Sequence, residues 1–169
     1  MMFCTLLMTF LFDANQKLEH CDAGDYVMAK HASVLPMDNE VSPAASESGC
    51  LDIDIAYQIT KTTTAGYRLL GINGTVSMDD VIPIKNAVKY WTTRIDRESD
   101  TGKYYFHRAV ARKYEKYTSY DTTVHKDVLD EIYVDLLIAE EKNFSGIHLH
   151  AFRGSVFHDS GLHKSAIHE

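Results

Sequence analysis

Leu51-Asp52-Ile53-Asp54-Ile55-Ala56-Tyr57-Gln58-Ile59-Thr60 carries a large apolar side chain at every second position. Strand side chains point alternately to opposite faces, so this period of two predicts a half-buried strand with Leu51, Ile53, Ile55, Tyr57 and Ile59 turned to a core. A second β signal follows. Asn73-Gly74 lies between two apolar, β-prone runs, and both residues accept the positive φ of a type I′ turn. The sequence predicts a hairpin with Tyr67 to Ile72 as the incoming arm, Thr75 to Met78 as the outgoing arm, and Asn73 and Gly74 as the structural turn.

Beyond the hairpin the period changes. Ser77 and Asp80 have the spacing of a capping box, with Asp in place of Glu. Val81, Ile84, Val88, Trp91 and Ile95 then recur at steps of three or four, which predicts a helix with Pro83 tolerated in its first turn. Glu98 to Gly102 reads as a polar turn. Residues 103–113 alternate again, with Tyr104, Phe106 and Val110 opposite Tyr105, His107 and Ala109. A strand is expected there, and a helix continuing through Tyr120 is the alternative. Val124, Val128, Ile132, Leu136 and Ala139 predict another helix, capped by Asp121 or Thr122 and ended at Gly146. Ile147, Leu149 and Ala151 alternate with His148, His150 and Phe152, predicting a short strand, and the polar tail past Arg153 is expected to fray.

Strands with interspersed helices, but no regular βαβ alternation, predict an α+β sandwich: a mostly antiparallel sheet with helices on one face. Residues 31–50, rich in Ser, Ala and acid and holding Pro36 and Pro43, read as a loop or linker. The expected organisation is an apolar N-terminus and acidic linker over 1–50, an α+β domain over 51–153, and a polar, histidine-containing tail over 154–169.

A chain of 169 residues supports one core, and 24% charged with 45% hydrophobic residues is ordinary for a globular protein. The net charge of −7 argues against indiscriminate nucleic-acid binding, but the charge is segregated. Residues 13–54 hold nine carboxylates against two lysines, and residues 121–142 hold seven against two. Between them Lys103, Arg108, Arg112, Lys113 and Lys116 face Glu115 alone. No Gly-x-Ser-x-Gly elbow or phosphate loop is present, Gly71-x-x-Gly74 being too short, and no cofactor is expected.

Gly71-Ile72-Asn73-Gly74-Thr75-Val76 resembles the GINGTV signature in the N-terminal domain of rhodanese-domain-containing tRNA uridine hydroxylases, a family with thiosulfate sulfurtransferase-like eukaryotic relatives. Phe106-His107-Arg108 with Arg112 is similar to the family's FHR-x-x-x-R strand, although Glu115 comes one position early and Val110 stands where a charged residue is usual. Gly146-Ile147-His148-Leu149 followed by Phe157-His158 is similar to the GIHLSPxEFH stretch that leads into the rhodanese domain, without its Ser-Pro and three residues longer. The three stretches keep the family's order and span about half the chain, while residues 117–145 form a longer and more helical segment than the family has.

The resemblance implies an acylphosphatase-like ferredoxin fold and a module of a tRNA-modifying protein, with tRNA or a rhodanese-domain partner. The family's chemistry needs a cysteine in the rhodanese domain. Cys4, Cys21 and Cys50 all precede the first motif, and the chain ends at Glu169, so catalysis by this chain alone is not expected. Arg108, Arg112, Lys113 and Lys116 are the expected RNA-contacting residues, because they are the side chains most able to meet phosphates. A solvated amphipathic face is the plainer reading of the same cluster.

Met1 to Phe12 has the length of a signal-peptide core and is too short to span a bilayer. It lacks a basic leader and a clear cleavage site, which favours a cytoplasmic module. In the alternative, a secreted glycoprotein with a binding role, Cys21 and Cys50 would remain as one disulfide pair, and Asn73-Gly-Thr and Asn143-Phe-Ser would be glycosylation sequons. Five of nine histidines lie between His148 and His168. On a strand His148 and His150 would point the same way and could share a metal, but no third ligand has a suitable spacing, so no metal is expected.

Overall fold

The computed structural model describes residues 21–31, 33–34, 50–117 and 126–161. Met1 to Phe12, Cys4, most of the predicted linker, the Asp121 or Thr122 cap and the end of the tail lie outside these residues. The chain is α+β. Strands β1 (Tyr26–Ala29), β4 (Ala56–Thr63), β5 (Gly66–Leu69) and β6 (Val81–Pro83) form an antiparallel sheet in the order β5-β4-β1-β6, and β2 (Ser33–Val34) pairs with β3 (Cys50–Leu51) beside it. Helices α1 (Ile84–Arg97), α2 (Gly102–Tyr117), α3 (Lys126–Glu141) and α4 (Ile147–Asp159) follow. A ferredoxin-like βαββαβ order would interleave helices with strands. Here every described strand of the main sheet precedes α1, so that order is not formed among the described residues.

The sheet separates two cores, and the alternation of β1 decides which residues enter each. Met28 pairs with Ala56 and Ile82 and faces the helices, where Ile84, Ala87 and Trp91 of α1, Phe106, Ala109 and Val110 of α2, Ile132, Leu136 and Ala139 of α3, and Leu149 and Val156 of α4 are buried together. Val27 and Ala29 face the other way, with Tyr57, Ile59, Leu69, Val76, Val81 and Cys21. The α-helices thus cover one face, as the pattern predicts.

Several expectations are corrected. The ten-residue strand is split, because the Asp52 carboxylate accepts the Asp54 amide at 2.9 Å and turns the chain between β3 and β4. Ile55 consequently points outward, 41% exposed. The Asn73-Gly74 turn is not type I′: Gly71 and Gly74 take φ of 78° and 106°, whereas Asn73 is not among the positive-φ residues. Instead the Leu69 carbonyl accepts the Ile72 amide at 3.3 Å, with Gly71 as the third residue of that turn. The chain returns to pair Val76 with Tyr67 through two 2.8 Å bonds.

Residues 103–113 are helical, the alternative to the predicted strand. Phe106, Ala109 and Val110 lie one turn apart and are buried against Trp91, so burial of one helical face outweighs the β-prone aromatics. Residues 147–152 are helical as well, and α4 runs past the expected boundary at 153 to Asp159. The first predicted helix begins three residues late because Val81–Pro83 belong to β6.

Candidate functional site

The predicted basic cluster lies on α2, where a spacing of four residues stacks Arg108 above Arg112 on one helical face. That face looks at α3. Asp135, 1% exposed, is the common anchor. Arg108 donates from Nε to Asp135 Oδ2 at 2.9 Å and from Nη2 to Oδ1 at 2.6 Å, a bidentate fork. Its Nη1 reaches Thr92 Oγ1 at 3.3 Å, and the guanidinium lies over the Tyr105 ring. Burial works against the Arg108 charge, but the hydrogen bonds and charge of Asp135 outweigh it and hold the group above its ordinary value. Arg112 also donates to Asp135 and lies 3.1 Å from Glu131 Oε2.

Lys113, one step around the helix, points at α4: its Nζ meets Ser155 Oγ at 2.6 Å and Asp159 Oδ2 at 3.0 Å. Lys116 lies near the end of α2, half-buried. Of the four predicted RNA-contacting residues, Arg108 and Arg112 are therefore brought together, but around a buried carboxylate, and Lys113 is drawn to another helix. Between α2 and α3 runs an open groove of about 260 Å³ lined by Arg108, Arg112, Asp130, Glu131, Val134 and Asp135. Three carboxylates outnumber two guanidiniums there, so the groove is biased toward cations.

Beyond the groove, Tyr133, Val134 and Leu137 of α3 are 38%, 52% and 44% exposed, although the helix buries Ile132, Leu136 and Ala139 on its other side. These residues were legible as apolar side chains off the predicted stripe. Asp135 was legible too, as a carboxylate between Ile132 and Ala139 on the inner face.

A second polar cluster joins three elements. The turn after β3 carries Asp54 to α2 and α4, where its Oδ1 lies 3.1 Å from His107 Nδ1 and its Oδ2 lies 3.7 Å from His148 Nδ1. His107 is buried, its ring 4.8 Å from that of Trp91. At 3.1 Å the two atoms approach closely, but they do not form a hydrogen bond. His150 turns away, with Nδ1 3.3 Å from Arg153. A helix separates side chains two positions apart, so His148 and His150 do not share the face expected of a strand. Among the described residues no three His, Cys, Asp or Glu are arranged to hold a metal ion.

Cys21 is a buried thiol whose backbone amide donates to the Tyr67 hydroxyl at 3.2 Å, and the Cys50 side chain lies outside the described residues. Asn73 and Asn143 are both exposed. Among the described residues no helix is long and apolar enough to cross a membrane. Comparison with protein-family models, curated proteins and solved structures finds no match for this chain.

Proposed function

We propose that the chain is a non-catalytic binding module that engages another protein in preference to RNA. The observation that carries this reading is the arrangement around Asp135. A phosphate would have to displace a buried, bidentate carboxylate to reach Arg108, and it would meet Asp130 and Glu131 on the way. The Gly71 to Val76 hexapeptide supports kinship with the N-terminal domain of rhodanese-type tRNA hydroxylases, and on that kinship a rhodanese-domain protein is a natural partner. The tRNA contact through Arg108, Arg112, Lys113 and Lys116 is the competing form of the same kinship.

Titration of labelled tRNA from low to physiological salt separates the two. The protein-binding reading expects no association at physiological salt, and no change on Arg112→Ala with Lys113→Ala. Salt-dependent binding abolished by that pair, with circular dichroism unchanged, would overturn it. The secreted alternative is favoured only by the exposure of both sequon asparagines, and glycan mass on the native protein would establish it.

A further inference from the structure

We propose that the outward face of α3 docks a basic amphipathic helix of a partner protein, an inference that rests on the protein-binding reading above. Leu137 and Val134 lie one turn apart on this face, with Tyr133 at its edge. Single exposed apolar residues are normal on a surface, but three large ones grouped on one helical face form a patch. The same face carries Asp130 one turn before Val134 and Glu141 one turn after Leu137. From Asp130 to Glu141 the helix is about 16 Å long, enough to lie along roughly three turns of another helix.

Charge identifies the occupant. Helix α3 holds six carboxylates and one lysine. Asp135, Glu131 and Glu140 are paired with Arg108, Arg112 and Arg153, and among the described residues no cation pairs with Asp130 or Glu141 on the apolar face. The last turn of α3 contains no basic residue, so Glu140 and Glu141 sit against the negative end of the helix dipole. A cationic partner relieves that repulsion. The groove beside Val134 offers Asp130 to a lysine or arginine side chain laid across it. A second copy of this chain would bring carboxylates against carboxylates, and a nucleic acid would bring phosphates. The apolar patch with its acidic rim therefore fits leucines flanked by lysines or arginines. Its small size makes the contact transient, on the order of micromolar.

The test uses the full chain and a fluorescein-labelled Leu/Lys helical peptide of about eighteen residues, read by anisotropy, with a Leu/Glu peptide of the same pattern as counterpart. The chain's overall negative charge alone attracts a basic peptide, so the deciding variant is Val134→Ser with Leu137→Ser, which leaves net charge unchanged. Binding of the Leu/Lys peptide is expected to weaken by about tenfold or more in that variant. Leu70→Ser, at an exposed apolar residue elsewhere, should leave it unchanged. Asp130→Lys with Glu141→Lys, a second route that spares the apolar patch, should also abolish binding. Equal affinity of the wild type and the double serine variant, equal binding of the Leu/Glu peptide, or no binding at millimolar peptide would each overturn the docking proposal. Labelled tRNA titrated on the same proteins reads the underlying function separately: tRNA binding lost on Arg112→Ala overturns the protein-binding reading, whereas peptide failure without tRNA binding overturns docking alone.

Discussion

Replacing Asp135 with Ala should be among the most destabilising single changes in the helical layer. The carboxylate is 1% exposed and takes two hydrogen bonds from Arg108 and another from Arg112, whose side chains are 15% and 18% exposed. Its removal leaves two guanidiniums with most of their surface out of water and one counterion lost. Breaking a buried pair costs about 3–5 kcal/mol. Arg112 keeps Glu131 at 3.1 Å, and Arg108 keeps Thr92 and the Tyr105 ring, so the expected cost shifts downward from that range. A loss of about 2–4 kcal/mol is expected, a large share of the 5–15 kcal/mol typical of a domain. In urea, with a slope of about 2 kcal/mol/M, the midpoint should fall by about 1–2 M.

The control is Arg108→Met with Asp135→Leu, which replaces the fork by apolar packing and should recover much of the loss, since an uncompensated charge costs more than an absent pair. A midpoint for Asp135→Ala indistinguishable from wild type would refute the reasoning. So would a double-mutant cycle between positions 108 and 135 with coupling below about 0.5 kcal/mol.

Gly66→Ala should cost about 2–4 kcal/mol, because the residue has φ of 141° and an added Cβ would lie 2.0 Å from the Val76 carbonyl oxygen. Gly71→Ala, with φ of 78° but open space around the new methyl, should cost only about 1–2 kcal/mol; equal denaturation midpoints for the two variants would remove the close approach from the account. Burial holds the Tyr67, Tyr104 and Tyr114 hydroxyls above the ordinary phenol value, against an opposing hydrogen bond from Ala56 at Tyr114. A folded value above the unfolded one means stabilisation that is complete below about pH 10 and is lost as pH rises past it. Tyr114→Phe should therefore flatten the alkaline decline in unfolding free energy, and a decline of unchanged slope would exclude that phenol as a contributor.

The first helix was legible because one force sets its pattern: Ile84, Trp91 and Ile95 repeat at helical spacing and are buried together. The split strand was half legible. Its alternation is real at Leu51, Tyr57 and Ile59, but Asp52-x-Asp54 is also the sequence of a side-chain-to-backbone turn, and the 2.9 Å bond between those residues prevails. The Asn-Gly signal was outbid locally, since Gly71 supplies a positive φ two residues earlier. Residues 147–152 are too short for periodicity to discriminate, and only the seven-residue step from Leu149 to Val156 points to a helix.

The strand-to-helix correction in α2 changes the functional reading as well as the fold. On a strand, Arg108 and Arg112 would share a face with Phe106 and Val110, where long basic stems could lie along apolar surface and reach solvent phosphate. On a helix, the same four-residue spacing stacks the two arginines one turn apart and rotates them away from Phe106, toward α3. Asp135 stands opposite them, and their charges are met inside the protein. A run of cations identical in sequence is thus an RNA-facing edge in one secondary structure and an internal tie between helices in the other. The surface we propose for a partner is then what α3 leaves outside the tie: Val134 and Leu137 with Asp130 and Glu141, a patch whose charge is opposite to the one that drew attention in the sequence.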